Sequence, residues 1–143
     1  MAFAARERRL AVMKKGVLLN SEITTVIARM GHTDSLVIGD SGLPIPDGVQ
    51  RIDLALTRGV PEMVATLKAV LAELEVEAAV LAEEIVAQNP AVYQAIRELL
   101  PDRSITMVPH EEFKKLTRAA KACIRTGECT PYANIILKSG VTF

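Results

Sequence analysis

The stretch Gly31–Gly48, Gly-His-Thr-Asp-Ser-Leu-Val-Ile-Gly-Asp-Ser-Gly-Leu-Pro-Ile-Pro-Asp-Gly, constrains this chain more than any other. Leu36–Ile38 is too short and too uniformly apolar for a strand with one wet face. It predicts a central strand buried on both sides, which requires layers of helix around a sheet. The segment after this strand is too rich in Gly and Pro to be regular: Pro44 and Pro46 hold the loop extended and Asp47-Gly48 turns it. His32 lies at a helix end before the strand, and Asp40 comes directly after the strand. The stretch therefore reads as a histidine and a carboxylate delivered together to the mouth of a sheet.

The rest of the chain supplies that sheet. Asn20 or Ser21 caps a helix with Ile23, Val26, Ile27 and Met30 on one face, ended by Gly31 in a left-handed conformation. Arg51–Leu56 alternates as a strand. Pro61 opens a helix at its first position, with Val64, Leu67, Leu71 and Leu74 at helical spacing. Ala78–Ile85 reads as a buried strand interrupted by Glu83 and Glu84. Asn89-Pro90 starts a helix that Pro101 stops, Ser104–Val108 is a strand, and Pro109-His110-Glu111-Glu112 begins a helix running to about Lys121. Ala122–Arg125 and Asn134–Leu137 are the last strands, with no helix between them, as in a hairpin. The fold class is α/β: a layered sheet, largely parallel at its centre and flanked by helices. Residues 13–143 form one domain. Ala5–Leu10 is basic and helix-prone, its apolar part is too short for a signal peptide, and Met1–Val12 reads as a flexible extension.

Several function classes are disfavoured. Lys plus Arg equals Asp plus Glu at 17 each and aromatics are 3%, so neither the basic excess nor the stacking platforms of a nucleic-acid binder are present. No apolar run reaches the roughly 18 residues of a membrane span. The cysteines, Cys123 and Cys129, lack CxxC spacing and read as reduced packing residues of a cytoplasmic protein. GxGxxG, GxxxxGK[ST] and HExxH motifs are absent, and two histidines are too few for a multi-histidine metal site within one chain. No cofactor is expected.

Ligands of open α/β sheets bind beyond the carboxyl ends of strands. Asp40, His110 and Thr126 each follow a strand, and Tyr132 and Asn134 lie beyond the Thr126 loop, within reach of folding back over it. Each has an ordinary reading as well. His32 can serve as a charge at a helix C-terminus, worth about 0.3–1 kcal/mol; Asp40 as a turn former; His110 as a first-turn residue; Tyr132 as packing; Asn134 as a turn residue. Lys114 shares the helical face of His110, and a solvated lysine is its ordinary role. The case for chemistry is that both histidines sit at helix ends beside strand ends. An acid–base pair without metal, nucleotide or nucleophile suits a reaction such as sugar ring opening, which needs one proton delivered to the ring oxygen and one removed from the anomeric hydroxyl.

Motifs in order along Met13–Phe143 carry a resemblance: Leu19-Asn20-Ser21, Gly31-His32-Thr33-Asp34, Asp40 through Val49, His110-Glu111-Glu112-Phe113-Lys114, Ile124-Arg125-Thr126-Gly127-Glu128 and Thr130-Pro131-Tyr132-Ala133-Asn134. On these residues the chain resembles the RbsD family of D-ribose pyranases. The resemblance implies interconversion of the β-pyranose and β-furanose forms of D-ribose without a cofactor. It implies His32 as proton donor and Asp40, His110, Tyr132, Ala133 and Asn134 as sugar-binding residues. It also implies a homodecamer of two stacked pentameric rings, with each site completed by a neighbouring subunit. Ser41 stands where the family usually has alanine, and Cys129 where it commonly has an aromatic. The alternatives are the sister fucose mutarotases, which typically carry Asp-Ala-His-Phe-Pro where this chain has Asp-Ser-Gly-Leu-Pro, and a non-catalytic ribose-binding accessory of a transporter.

Overall fold

The computed structural model describes residues 13–143. The expected extension Met1–Val12 lies outside the described residues. The elements are α1 (Ser21–Arg29), β1 (Ser35–Gly39), β2 (Gln50–Asp53), α2 (Met63–Leu71), β3 (Val76–Ala82), α3 (Ile85–Gln88), α4 (Pro90–Leu99), β4 (Ser104–Val108), α5 (His110–Leu116) with a 3-10 turn at Thr117–Ala119, β5 (Ala122–Arg125) and β6 (Ile135–Ser139). The strands form one six-stranded sheet in the order β2-β5-β1-β6-β3-β4. β1 runs parallel to β5, β5 to β2 and β3 to β4, while β6 runs antiparallel between β1 and β3.

The sheet is thus mixed and mostly parallel, as the alternation of strands and helices predicts. β1 is as central as its composition requires: Leu36, Val37 and Ile38 are each 0% exposed. Burying a side chain of this size contributes about 1.5–3 kcal/mol. Period-two alternation sends them to two different cores. Leu36 and Ile38 join Ile23, Leu67, Leu81, Ile96, Ile124 and Ile135 on one face, under the helices. Val37 joins Phe113, Ala82, Cys123 and Ile136 on the other, under α5.

Several boundaries and pairings differ from the sequence reading. β5 and β6 do not form a hairpin, because β1 lies between them and pairs with both. The hydrogen bonds a hairpin would use are taken by the more apolar strand. β2 stops at Asp53, whose carboxylate accepts from the Ala55 N–H at 3.0 Å and turns the chain, leaving Leu56 79% exposed. β3 ends at Ala82, where the carboxylates of Glu83 and Glu84 have no place inside a buried strand, and Ile85 starts α3 instead. Pro61 precedes the N-cap of α2, Glu62, and does not itself begin the helix. The buried face of α2 is Met63, Thr66, Leu67 and Val70, slightly rotated from the expected stripe. The helix after Pro109 stops at Leu116 and tightens into the 3-10 turn.

The two thiols are sharply unequal. Cys123 is buried and Cys129 exposed, and burial pushes the Cys123 thiol up to about 11. Only a thiolate attacks a disulfide reagent. The native protein is therefore expected to release one equivalent of thionitrobenzoate at pH 8 and two after denaturation. Two fast equivalents from native protein would contradict the packing of Cys123.

Candidate active site

At the carboxyl ends of the parallel strands, β1 delivers Asp40, β5 delivers Thr126 and β4 delivers His110. Because β6 is antiparallel, its beginning falls at this same edge and brings Tyr132, Ala133 and Asn134 with it.

Asp40 and Asn134 form a reciprocal pair. The Asn134 amide accepts from the Asp40 backbone N–H at 2.7 Å and donates to the Asp40 carboxylate at 3.0 Å. The other carboxylate oxygen accepts from the Gly42 N–H at 2.9 Å. Asn134 is 1% exposed, so the amide is committed to holding Asp40. Gly39 permits the approach, since a Cβ there would lie 2.8 Å from Leu43 and 3.2 Å from the Asn134 oxygen. Ala133 is 0% exposed, backbone and side chain alike, and packs beneath the site.

His110 opens α5, and its backbone N–H donates to both carboxylate oxygens of Glu84, at 3.0 and 3.2 Å. Its ring lies edge-on to Tyr132 with centroids 5.1 Å apart, and parallel to Phe113 at 6.2 Å. The His110 Nδ1 atom is buried and has no hydrogen-bond partner among the described residues. Tyr132 adopts a left-handed backbone, φ 58°, which a bulky side chain rarely tolerates and which is typical of sites held by their surroundings. Lys114, the other candidate on the α5 face, pairs with Glu111 at 2.8 Å.

Residues outside the candidate set fix this edge. The Thr126 hydroxyl donates to the Gly39 carbonyl at 2.7 Å. Arg125 Nε donates to the Ser41 carbonyl at 3.1 Å while its guanidinium pairs with Asp53 on β2. Glu128 is 7% exposed; its carboxylate accepts from the Met63 N–H at 3.0 Å and from the Thr130 hydroxyl at 2.6 Å. Asn89 donates to Thr130 and to the Pro131 carbonyl. The loop that carries Tyr132 and Asn134 is thereby tied to α2 and α4. The Ser41 hydroxyl and the Cys129 thiol touch each other at 3.4 Å. Gly127 packs directly on the turn at 57–60: a Cβ would sit 2.4 Å from the Val60 carbonyl oxygen and 2.5 Å from that of Thr57. Gly127→Ala is expected to destabilise the protein by about 3 kcal/mol or more, because two backbone carbonyls must give way. A melting temperature within a degree of wild type would contradict that packing.

His32 is not at this edge. It precedes β1, Asp40 follows it, and the strand between them spans roughly 13 Å. The expectation that His32 and Asp40 are delivered together to one edge of the sheet is therefore corrected within a single chain. A strand carries its two ends to opposite sides, and Asp40 belongs with His110, Tyr132 and Asn134. Nor does Gly31 take the left-handed position; Thr33 does, at φ 72°. The turn is closed by Asp34, which accepts from the Gly31 N–H at 2.8 Å, and by Ser139, whose carbonyl accepts from the Thr33 N–H at 2.9 Å. The exposed His32 ring places Nε2 2.7 Å from a carboxylate oxygen of Glu77, at the start of β3.

Sequence reasoning passed over Glu77, since an exposed carboxylate near a strand end carries no signal. Glu84 did leave one, by interrupting the apolar run of β3.

A mixed α/β layer that gathers a carboxylate, an amide, a phenol and an imidazole at one sheet edge has the hydrogen-bonding and acid–base groups that a small polyhydroxylated ligand would use. Residues 13–142 match the RbsD / FucU transport protein family, and the chain belongs to that family. It is 58% identical to the D-ribose pyranase of Geobacillus thermodenitrificans, over 92% of this chain and 99% of that one. The structure of Bacillus subtilis RbsD complexed with D-ribose superposes with a TM-score of 0.89 at 48% identity, covering 92% of this chain and 100% of that one. The fucose mutarotase of Streptococcus pneumoniae, solved with L-fucose, shares the fold with a TM-score of 0.78 at 23% identity, over 92% of this chain and 100% of that one.

Proposed function

We propose that this chain is a D-ribose pyranase, an isomerase that interconverts the β-pyranose and β-furanose forms of D-ribose. The carrying observation is the Asp40–Asn134–Tyr132–His110 cluster on a chain that is 48% identical to a protein solved with D-ribose. The reaction breaks the bond from C1 to the ring oxygen and later closes C1 onto a different hydroxyl. A proton leaves the anomeric hydroxyl and another reaches the ring oxygen, so no redox partner is required. General acid–base catalysis contributes typically 10²–10⁴-fold, or roughly 3–5 kcal/mol.

In this reading His32 is the proton donor. Asp40 and His110 bind sugar hydroxyls. Tyr132 lines the site, and the buried Ala133 and Asn134 support it from beneath, Asn134 by holding Asp40. Gly42 favours ribose over fucose: a Cβ there would meet only an Asp40 oxygen, at 3.7 Å. Packing does not demand the glycine, and its missing side chain leaves the site's mouth open.

The placement of His32 supports assembly. One chain holds its proton donor and its sugar-binding cluster at opposite sheet edges, so a complete site needs His32 from one subunit and the cluster from another. A groove of about 360 Å³ on the β3-β4-β6 face, lined by Ala78, Val80, Thr106 and Ile136, offers apolar surface for such contacts. The proposed assembly is a homodecamer of two pentameric rings. The two free thiols support a reducing cytoplasmic location. Among the described residues no helix is long and apolar enough to cross a membrane.

The test is ring-form exchange of ribose followed by saturation-transfer NMR, with the mass of the assembly measured alongside. Exchange that rises with protein concentration, in a particle larger than a monomer, is expected. Binding without faster exchange would instead indicate the non-catalytic accessory.

A further inference from the structure

The described residues pair His32 with a single carboxylate, and the surrounding backbone is built to keep the pair together. His32 Nε2 lies 2.7 Å from Glu77 Oε1. Both partners hang on the same end of β6. The Ser139 carbonyl accepts from Thr33 in the His32 turn, and the Ser139 N–H donates to the Asp34 carbonyl at 2.9 Å. The next residue, Gly140, donates to the Glu75 carbonyl at 2.9 Å, and a Cβ on it would come within 3.2 Å of the Glu77 Cβ. The C-terminal end of β6 thus sets the distance between the two side chains. A stability role does not explain the contact, since the side chains are 52% and 41% exposed and exposed ion pairs contribute little.

We propose that Glu77 is a positioning residue for His32, holding the hydrogen on Nε2 and leaving Nδ1 as the ring nitrogen that meets the sugar. This rests on the reading of His32 as proton donor. An ionised carboxylate only accepts, so the contact requires hydrogen on Nε2. In a neutral imidazole the other nitrogen then carries the lone pair; in the imidazolium it carries the transferable proton. Nδ1–H protonates the ring oxygen as the bond from C1 breaks, and the lone pair regained at Nδ1 is free to take a proton. Nε2 keeps its hydrogen throughout, so the ring need not turn between steps. A carboxylate that orients an imidazole in this way acts on catalysis through tautomer and direction, without being protonated itself.

The test uses protein labelled with ¹⁵N-histidine, whose spectrum holds two rings, that of His110 being identified by its loss in His110→Asn. Long-range ¹H–¹⁵N correlations of neutral His32 are expected to show a pyrrole-type Nε2 and a pyridine-type Nδ1. In Glu77→Ala both nitrogens are expected to move toward the average of the two tautomers. The maximal ring-exchange rate is expected to fall roughly tenfold, with little change in the ribose concentration for half-saturation. Glu77→Gln retains a carbonyl acceptor and is expected to recover most of both readouts, with an unchanged melting temperature. Hydrogen on Nδ1 in the wild type, or wild-type tautomer and exchange in Glu77→Ala, would overturn the proposal. The tautomer measurement needs no turnover, so a wild-type protein that fails to speed ribose exchange would count against the proton-donor reading and leave this one decided separately.

Discussion

His32→Ala is expected to lower the ribose ring-exchange rate by about 10²–10⁴-fold, the range of a single general acid–base group. The fold has little stake in the residue. His32 is exposed, its turn is closed by Asp34, Thr33 and Ser139 through contacts that do not use the imidazole, and its one polar contact among the described residues is with half-exposed Glu77. The melting temperature and the mass of the assembly should therefore match wild type while exchange collapses. Mixing provides a sharper form of the test. If each site takes His32 from one subunit and the Asp40 cluster from another, hybrids of His32→Ala and His110→Ala subunits should regain part of the activity that both parents lack. Exchange in His32→Ala within twofold of wild type would remove His32 from the mechanism.

The second large effect is expected at Asn134. Its amide is buried and both ends are used on Asp40, one as acceptor and one as donor. In Asn134→Ala the Asp40 N–H loses its partner and the carboxylate loses a donor, at a cost of about 2–3 kcal/mol. Both the melting temperature and the exchange rate should fall, because the Asp40 carboxylate is no longer aimed. Asn134→Asp separates the two effects. It keeps an acceptor for the Asp40 N–H and nearly the same shape, but replaces the donor with a second negative oxygen about 3 Å from the first. Repulsion at that distance in a half-buried setting is unfavourable, so ribose binding should suffer at least as much as in the alanine variant. If Asn134→Asp binds and turns over ribose normally, the reciprocal pair does not organise the site.

Much of the fold was legible because short-range chemistry and long-range packing agree. The strand at Leu36–Ile38 is apolar on both faces and occupies the centre of the sheet; Asn20 caps α1 through its side chain; Asn89-Pro90 begins α4. The readings that failed were those a period cannot decide. Nothing in Ala122–Arg125 and Ile135–Ser139 says that β1 will insert between them. Glu83 and Glu84 did mark the end of β3, but their meaning depends on α5, whose first N–H donates to Glu84. The site was legible by kind more than by arrangement. His32, Asp40, His110 and the Tyr132–Asn134 segment stand out in the sequence, and all but His32 converge on one sheet edge. The separation of His32 from Asp40 was legible too, since residues before and after one strand lie at its opposite ends, but the short distance in sequence masked it. Glu77 was invisible, being brought to His32 by the registry of β6 with β3.

A D-ribose pyranase speeds the exchange of D-ribose between its β-pyranose and β-furanose forms, and this chain is expected to do so. The most direct measurement is saturation-transfer NMR on ribose, with L-fucose as a parallel substrate, at several concentrations of the wild-type protein. The expected result is transfer between the ribose ring forms that grows in proportion to protein, with fucose anomers exchanging near the uncatalysed rate. Acceleration of fucose but not ribose, or of neither sugar by protein that is folded and assembled, would contradict it.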